Sequence, residues 1–344
     1  MKKILILLVG MMIVGVGCFA QTIDLMGAGA TFPQPLYSRM FDDYSNSQVR
    51  VNYQGIGSGG GINQLIAKTT DFGGTDAIVA ADVEEKSGET ILHVPTCLGA
   101  VVVTYNLKLE NNVRLKFTGD LIADIFMGNV KDWSDKKIAD LNPGVKLPKL
   151  PITVVSRSDG SGTSFIFTDY LSKVNKTWAD KVGCGTAVQW PVGIGAKGNP
   201  GVAETIQGME GAIGYVELIY ALSNNIPYGD VRNKSGNFIT PTMETVSYSA
   251  NVEIPANAKV SLVDTAHAQG YPISSFTWII LFKEQAYEKR NIDKAKATVK
   301  MIEWMITDGQ KFAADLHYAP LPEAAQKVGK DILKSVTFNG RPLF

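Results

Sequence analysis

The sequence predicts an α/β protein of two domains, and three observations carry that reading. Turn signals and apolar runs alternate along the whole chain. Its 344 residues exceed one ordinary domain. Its composition, 45% hydrophobic against 19% charged, suits chains that bury a core and excludes disordered, collagenous and disulfide-scaffold classes. Lys plus Arg (33) equals Asp plus Glu (33). That balance argues against a protein that coats nucleic acid, so any bound anion must be held by local geometry.

Lys2 and Lys3 precede an apolar run from Ile4 to Val16, and Gly17-Cys18-Phe19-Ala20-Gln21 follows. This reads as a signal peptide over residues 1–20, cleaved after Ala20. The alternative is a lipoprotein cut before Cys18, although Gly15-Val16-Gly17 fits a lipobox poorly. Losing this segment removes two lysines and no acid, leaving a slightly acidic exported chain. Cys97 and Cys184 remain and show no framework pattern, so two buried free thiols are expected.

Val49, Val51 and Tyr53 alternate like a half-buried strand, and Ile62, Leu65 and Ile66 then follow helical spacing. Residues 100–105 and 151–155 read as buried strands. A helix follows the second, with Phe167, Leu171 and Val174 on one face. Another strand pattern lies at 276–282, and helical patterns lie at 295–306 and 310–316. The Gly/Pro-rich stretch 191–201 reads as an ordered loop leading into a helix.

Three segments share one layout. Gly27-Ala-Gly-Ala-Thr31-Phe32-Pro33 leads into a helix carrying Tyr37, Phe41 and Tyr44, with Thr31 suited to the N-cap and Pro33 to the first turn. Gly55-Ile-Gly-Ser58-Gly-Gly-Gly61 and Arg157-Ser-Asp159-Gly-Ser161-Gly162-Thr163 also open helices. The first N–H groups of a helix lack internal partners, and the macrodipole adds about half a positive charge there. Such ends receive oxyanions, and Arg157 adds a planar bidentate donor. Ordinary capping explains any one of these starts, so capping and ligand binding both stay open. Asp76, after Asp71-Phe-Gly-Gly-Thr75, is out of place beside an anion unless the ligand donates a proton to it. Hydrogen phosphate can do so, whereas sulfate at neutral pH cannot; the other reading of Asp76 is a turn cap.

Other chemistries find less support. Gly55-Ile-Gly-Ser-Gly-Gly60 matches GxGxxG with Asp76 downstream, but the strand before it carries polar Arg50 and Asn52, unlike a central dinucleotide-binding strand. Neither Ser58 nor Ser161 sits in GxSxG, which speaks against a serine hydrolase. His93, His267 and His317 have no ligand spacing, and there is no CxxC pair or P-loop.

Together, Gly27-Ala-Gly-Ala-Thr-Phe-Pro33, Val51-Asn-Tyr-Gln-Gly-Ile-Gly-Ser58, Asp71-Phe-Gly, Asp76-Ala77, Leu141-Asn-Pro-Gly144, Asp159-Gly-Ser-Gly-Thr-Ser-Phe165, Trp190-Pro, Gly211-Ala-Ile-Gly-Tyr-Val-Glu217 and Leu316–Leu321 resemble the phosphate-binding protein of bacterial phosphate-uptake ABC transporters. The resemblance spans the mature chain. It implies a two-lobed periplasmic binding protein-like α/β fold of type II, with mixed sheets flanked by helices and the ligand in the interlobe cleft. Lobe one would be 21–99 plus 275–344, and lobe two 100–274. By the same resemblance Thr31, Phe32, Ser58, Asp76, Arg157, Ser161, Gly162 and Thr163 bind inorganic phosphate, and Asp159 orients Arg157. It implies a periplasmic monomer without catalytic residues, metal or cofactor, which docks on a membrane permease and ATPase complex and does not bind nucleic acid. The nearest alternative ligands are arsenate, sulfate and molybdate.

Overall fold

A computed structural model describes residues 22–110, 113–288 and 290–344. The expected signal segment and Cys18 lie outside these residues.

An eight-stranded mixed sheet forms the frame. Its spatial order is Val49–Gly55, Ile23–Gly29, Phe72–Thr75, Ser274–Phe282, Ile91–Tyr105, Ala212–Glu217, Thr153–Arg157 and Ile194–Ala196. The first three strands are mutually parallel, and so are the last three. The two long strands between them, Ser274–Phe282 and Ile91–Tyr105, run antiparallel to each other and to their outer neighbours. This is an α/β molecule whose sheet has a parallel triplet on each side of a central antiparallel pair.

The central strands are buried on both faces. Every residue of Ser274–Phe282 is buried, and so is every residue of Ile91–Tyr105 except Leu92. Residues 91–100 pair with 274–282, whereas 101–105 pair with the other half of the sheet. The strand expected at 100–105 is thus the end of a longer one, hidden because Pro95 and Gly99 resemble breakers in sequence. Pro95 is accommodated close to a register shift between Thr277 and Trp278.

Helices begin just past the C-terminal ends of the parallel strands. Gln34–Tyr44 and Ser58–Ile66 do so in the first half, and Gly162–Val174, Gly198–Gly208 and Leu218–Ser223 in the second. The expected 191–201 loop is only partly a loop, since it holds the edge strand Ile194–Ala196 and the start of Gly198–Gly208. The 310–316 helix resolves into two short 3-10 turns, Asp308–Phe312 and Ala314–Leu316. Both cysteines are free, as expected, but Cys184 is exposed. It follows a turn at Gly183 (φ 77°) in the connection after the helix Lys176–Lys181 and lines a groove with Gly59, Ile78 and Gly160.

Candidate functional site

Ligands of open α/β sheets gather outside the carboxyl ends of parallel strands. Here the two parallel triplets point such ends at each other. Thr31, Ser58 and Asp76 follow the strands Ile23–Gly29, Val49–Gly55 and Phe72–Thr75. Arg157 ends its own strand, Ser161 to Thr163 follow it, and Asn199 follows Ile194–Ala196. Close approach of the first three ends depends on Gly29. It adopts φ 148°, and a Cβ there would lie 2.0 Å from the Gly74 carbonyl oxygen. Its own carbonyl accepts from the N–H groups of Ile56 and Gly57 at 2.9 and 2.8 Å.

Ser58 joins the two halves. It is fully buried, and its Oγ accepts from the backbone N–H of Asp76 at 3.2 Å and of Gly162 at 3.1 Å. Gly59 N–H also donates to the Gly160 carbonyl at 2.8 Å, so the two helix starts meet backbone to backbone. Gly162 must lack a side chain, because a Cβ would lie 2.4 Å from Ser58 Oγ and 2.6 Å from Asp76 Oδ2.

Arg157 is oriented on every side. Its Nε and one terminal nitrogen donate to the two Asp159 carboxylate oxygens at 2.7 and 2.5 Å, and its other terminal nitrogen reaches Thr163 Oγ1 at 3.3 Å. Gly198 N–H steadies the Asp159 carboxylate at 2.9 Å. The Arg157 side chain is 1% exposed. Behind it, Tyr215 accepts from Arg157 N–H at 3.1 Å and shares a 2.6 Å hydrogen bond with Ser164 Oγ. The Tyr215 ring stacks on Phe167 at 4.3 Å, so core packing sets the position of Arg157.

Asn199 completes the network. Its Nδ2 donates to Thr31 Oγ1 at 2.9 Å and to Thr163 Oγ1 at 3.1 Å, and its backbone N–H donates to Thr31 Oγ1 at 3.1 Å. Hydrogen bonds therefore form two clusters, Thr31–Asn199–Thr163–Arg157–Asp159 and Asp76–Ser58–Gly162, which meet where Gly162 precedes Thr163 in the chain, with Ser161 just before them. Phe32 lies beside them, its carbonyl accepting from Tyr318 at 2.6 Å.

The site holds little net charge. Burial pushes the Asp76 carboxyl up to about 7, against Thr277, Arg157 and Ser58, which favour its ionised form. Thr277 Oγ1 donates to Asp76 Oδ1 at 2.6 Å. Burial also pushes the Asp159 carboxyl up, but the Arg157 hydrogen bond and charge win and hold it below the usual range. Glu217, fully buried at the end of its strand, is driven well above the carboxylate range by burial, with the Asp76 charge adding to the effect. Attraction for an anion thus comes mainly from N–H and O–H dipoles.

One sequence expectation needs correction. Thr31 is not the N-cap: Pro33 holds that place before Gln34–Tyr44, and the Thr31 hydroxyl turns to Asn199. Ser58 opens its helix as expected, directly after Gly57. Ser161 is an N-cap, accepting from Ser164 N–H at 3.0 Å. Sequence reasoning missed Asn199, Thr277 and Tyr215. A signal for Asn199 was present, since Gly198-Asn199-Pro200-Gly201 is a fourth glycine-flanked helix start.

Fold and site together define a periplasmic-binding-protein-like molecule, and residues 20–308 match the model of the PBP superfamily domain. Within that class, the chain is 42% identical over 306 residues to the phosphate-binding protein PstS of Xylella fastidiosa (strain Temecula1), covering 88% of this chain and 82% of the relative. It is 36% identical over 341 residues to the phosphate-binding protein PstS of Methanocaldococcus jannaschii, covering 92% and 87%. The chain belongs to the PstS family of phosphate-binding proteins. The crystal structure of a phosphate binding protein from Stenotrophomonas maltophilia shares the fold, with a TM-score of 0.65 at 17% identity over 88% of this chain and 92% of that one.

Two outcomes follow from the site's packing and charge. Gly162→Ala should drive the helix starts apart and lower the melting temperature, by about 1–3 kcal/mol of overpacking; an unchanged melting curve would contradict the close approach. Asp76 is raised from 3.8 to about 7, so the folded state binds its proton more tightly than the unfolded chain. Its contribution to stability is therefore present at low pH and lost as pH rises between those values. Denaturant unfolding of Asp76→Asn should show a flatter pH dependence across that window, and an unchanged slope would remove Asp76 as the source.

Proposed function

We propose that this chain is an exported, non-enzymatic solute-binding protein that captures inorganic phosphate in a closing interlobe cleft. It would deliver the ion to the permease and ATPase of an ABC transporter. The observation that carries this reading is one buried acceptor, Asp76, among donors supplied by both halves of the sheet. Hydrogen phosphate offers acceptor oxygens to Thr31, Phe32, Ser58, Arg157, Ser161, Gly162 and Thr163, and one proton to Asp76.

The proposed lobes are 21–99 with 275–344, and 100–274. Their two crossings lie side by side, because Gly99 pairs with Ser275 and Ala100 with Ser274. Bending of these adjacent strands would open the cleft between the facing strand ends. Phosphate would favour the closed form by touching donors of both lobes at once. The protein would act as a periplasmic monomer cleaved after Ala20; lipidation of Cys18 is the other anchoring scheme.

An enzyme is a poor fit to the same groups. The hydroxyls of Ser58 and Ser161 contact backbone N–H groups, and no histidine is hydrogen-bonded to either. Among the described residues no cluster has metal-ligand geometry.

Calorimetric titration with phosphate, sulfate and molybdate tests the reading, and the expected result is binding of phosphate far above the other two. Below about 7 the Asp76 carboxyl is protonated and can donate to sulfate; above it the carboxylate repels sulfate. The preference for phosphate over sulfate should therefore narrow at low pH. Asp76→Asn should raise sulfate affinity relative to phosphate and remove most of that pH dependence; an unchanged ratio would take Asp76 out of the discriminating role. Arg157→Ala should weaken phosphate by about 1.5–3 kcal/mol or more, the loss of a charged hydrogen bond. Wild-type affinity in that variant would place Arg157 outside the site.

A further inference from the structure

We infer that Asn199 is a positioning residue that turns the hydroxyl protons of Thr31 and Thr163 onto the bound oxyanion. The inference rests on the phosphate reading above and assigns a role to a residue outside the expected binding set.

A threonine hydroxyl has two acceptor lone pairs and one proton. Thr31 Oγ1 accepts two N–H groups, both from Asn199, through Nδ2 at 2.9 Å and the backbone at 3.1 Å. Thr163 Oγ1 also accepts two, from Asn199 Nδ2 at 3.1 Å and from the Arg157 guanidinium at 3.3 Å. Each oxygen therefore has its acceptor capacity filled, and its proton is all that it can still offer. Neither hydroxyl donates to any group among the described residues. A hydroxyl with a free lone pair could turn that lone pair toward an anion and repel it; these two cannot.

The amide itself has no freedom to flip. Asn199 is fully buried, and its Oδ1 accepts from the Glu217 backbone N–H at 3.0 Å. That contact commits the oxygen to one side and leaves Nδ2 facing the threonines. Thr31 follows a strand of the first parallel triplet, whereas Asn199 and Thr163 follow strands of the second. The Thr31 hydroxyl is thus polarised by a residue from across the cleft, so closure itself makes Thr31 a committed donor. Ser58 reaches the same state without Asn199, through the backbone N–H groups of Asp76 and Gly162.

The test is a double-mutant cycle on inorganic phosphate affinity, read by calorimetry. It compares wild type, Asn199→Ala, Thr31→Val/Thr163→Val and the triple variant, with ligand-free melting curves to verify folding. Asn199→Ala should weaken phosphate about ten- to hundredfold, as befits loosened hydrogen bonds to a charged group. In the valine background, adding Asn199→Ala should change Kd by less than about threefold, because its targets are gone. A merely structural asparagine would produce the same loss in both backgrounds, and that result, or wild-type affinity in Asn199→Ala, would overturn the inference. Should the alanine variant fail to fold, the same cycle is run with Asn199→Ser, which keeps a polar atom near Glu217 but cannot reach both threonines. Failure of wild type to take up phosphate would sink the functional reading itself and is seen before any variant is compared.

Discussion

Removing an oxyanion from water is the constraint on which the rest of this structure depends. A buried charge left without partners is too costly to sustain, so every lost water contact needs a fixed replacement. A dense cluster of positive side chains is not the route taken here. Arg157 is already matched by Asp159, and the remaining acids, Asp76 and Glu217, are pushed toward their neutral forms by burial. What remains is a shell of oriented dipoles, which under the proposed function would discriminate by where protons sit and depend little on total charge.

That shell requires main-chain segments to approach more closely than side chains allow. Gly29 lets one strand end lie against the Gly74 carbonyl, and Gly162 lets one helix start lie against Ser58 and Asp76. The aromatic core behind the site supplies the rigidity. Tyr215 is stacked on Phe167 and Trp190 and passes its position to Arg157 and Ser164 through its hydroxyl. Tyr53, stacked on Phe72, does the same for the Ala30 carbonyl at 2.9 Å, next to Thr31.

Much of this was legible in the sequence because the same residues serve local and global ends. Glycine beside a hydroxyl at a helix start is a local signal, and it located Thr31, Ser58 and Ser161. The alternation at Val49 to Tyr53 and the apolar run ending at Tyr105 located strands of both sheet halves. What stayed hidden was non-local. Asn199 matters only because Thr31 and Thr163 lie beside it, more than thirty residues away in sequence, and its chain neighbours looked like loop. Thr277 is an unremarkable strand threonine until Asp76 is found against it. The Thr31 assignment as a cap failed for a related reason: a tertiary amide competed for the hydroxyl and won.

The place of Ser274–Phe282 in the sheet has a kinetic consequence. It lies between Phe72–Thr75 and Ile91–Tyr105, strands made far earlier in synthesis. Until its residues are available, the first triplet has no neighbour to join it to the rest, and its apolar edge has no mate. The second half, whose strands all lie within residues 91–217, can pair without it, but the complete sheet waits for nearly the entire polypeptide and closes over a long sequence range.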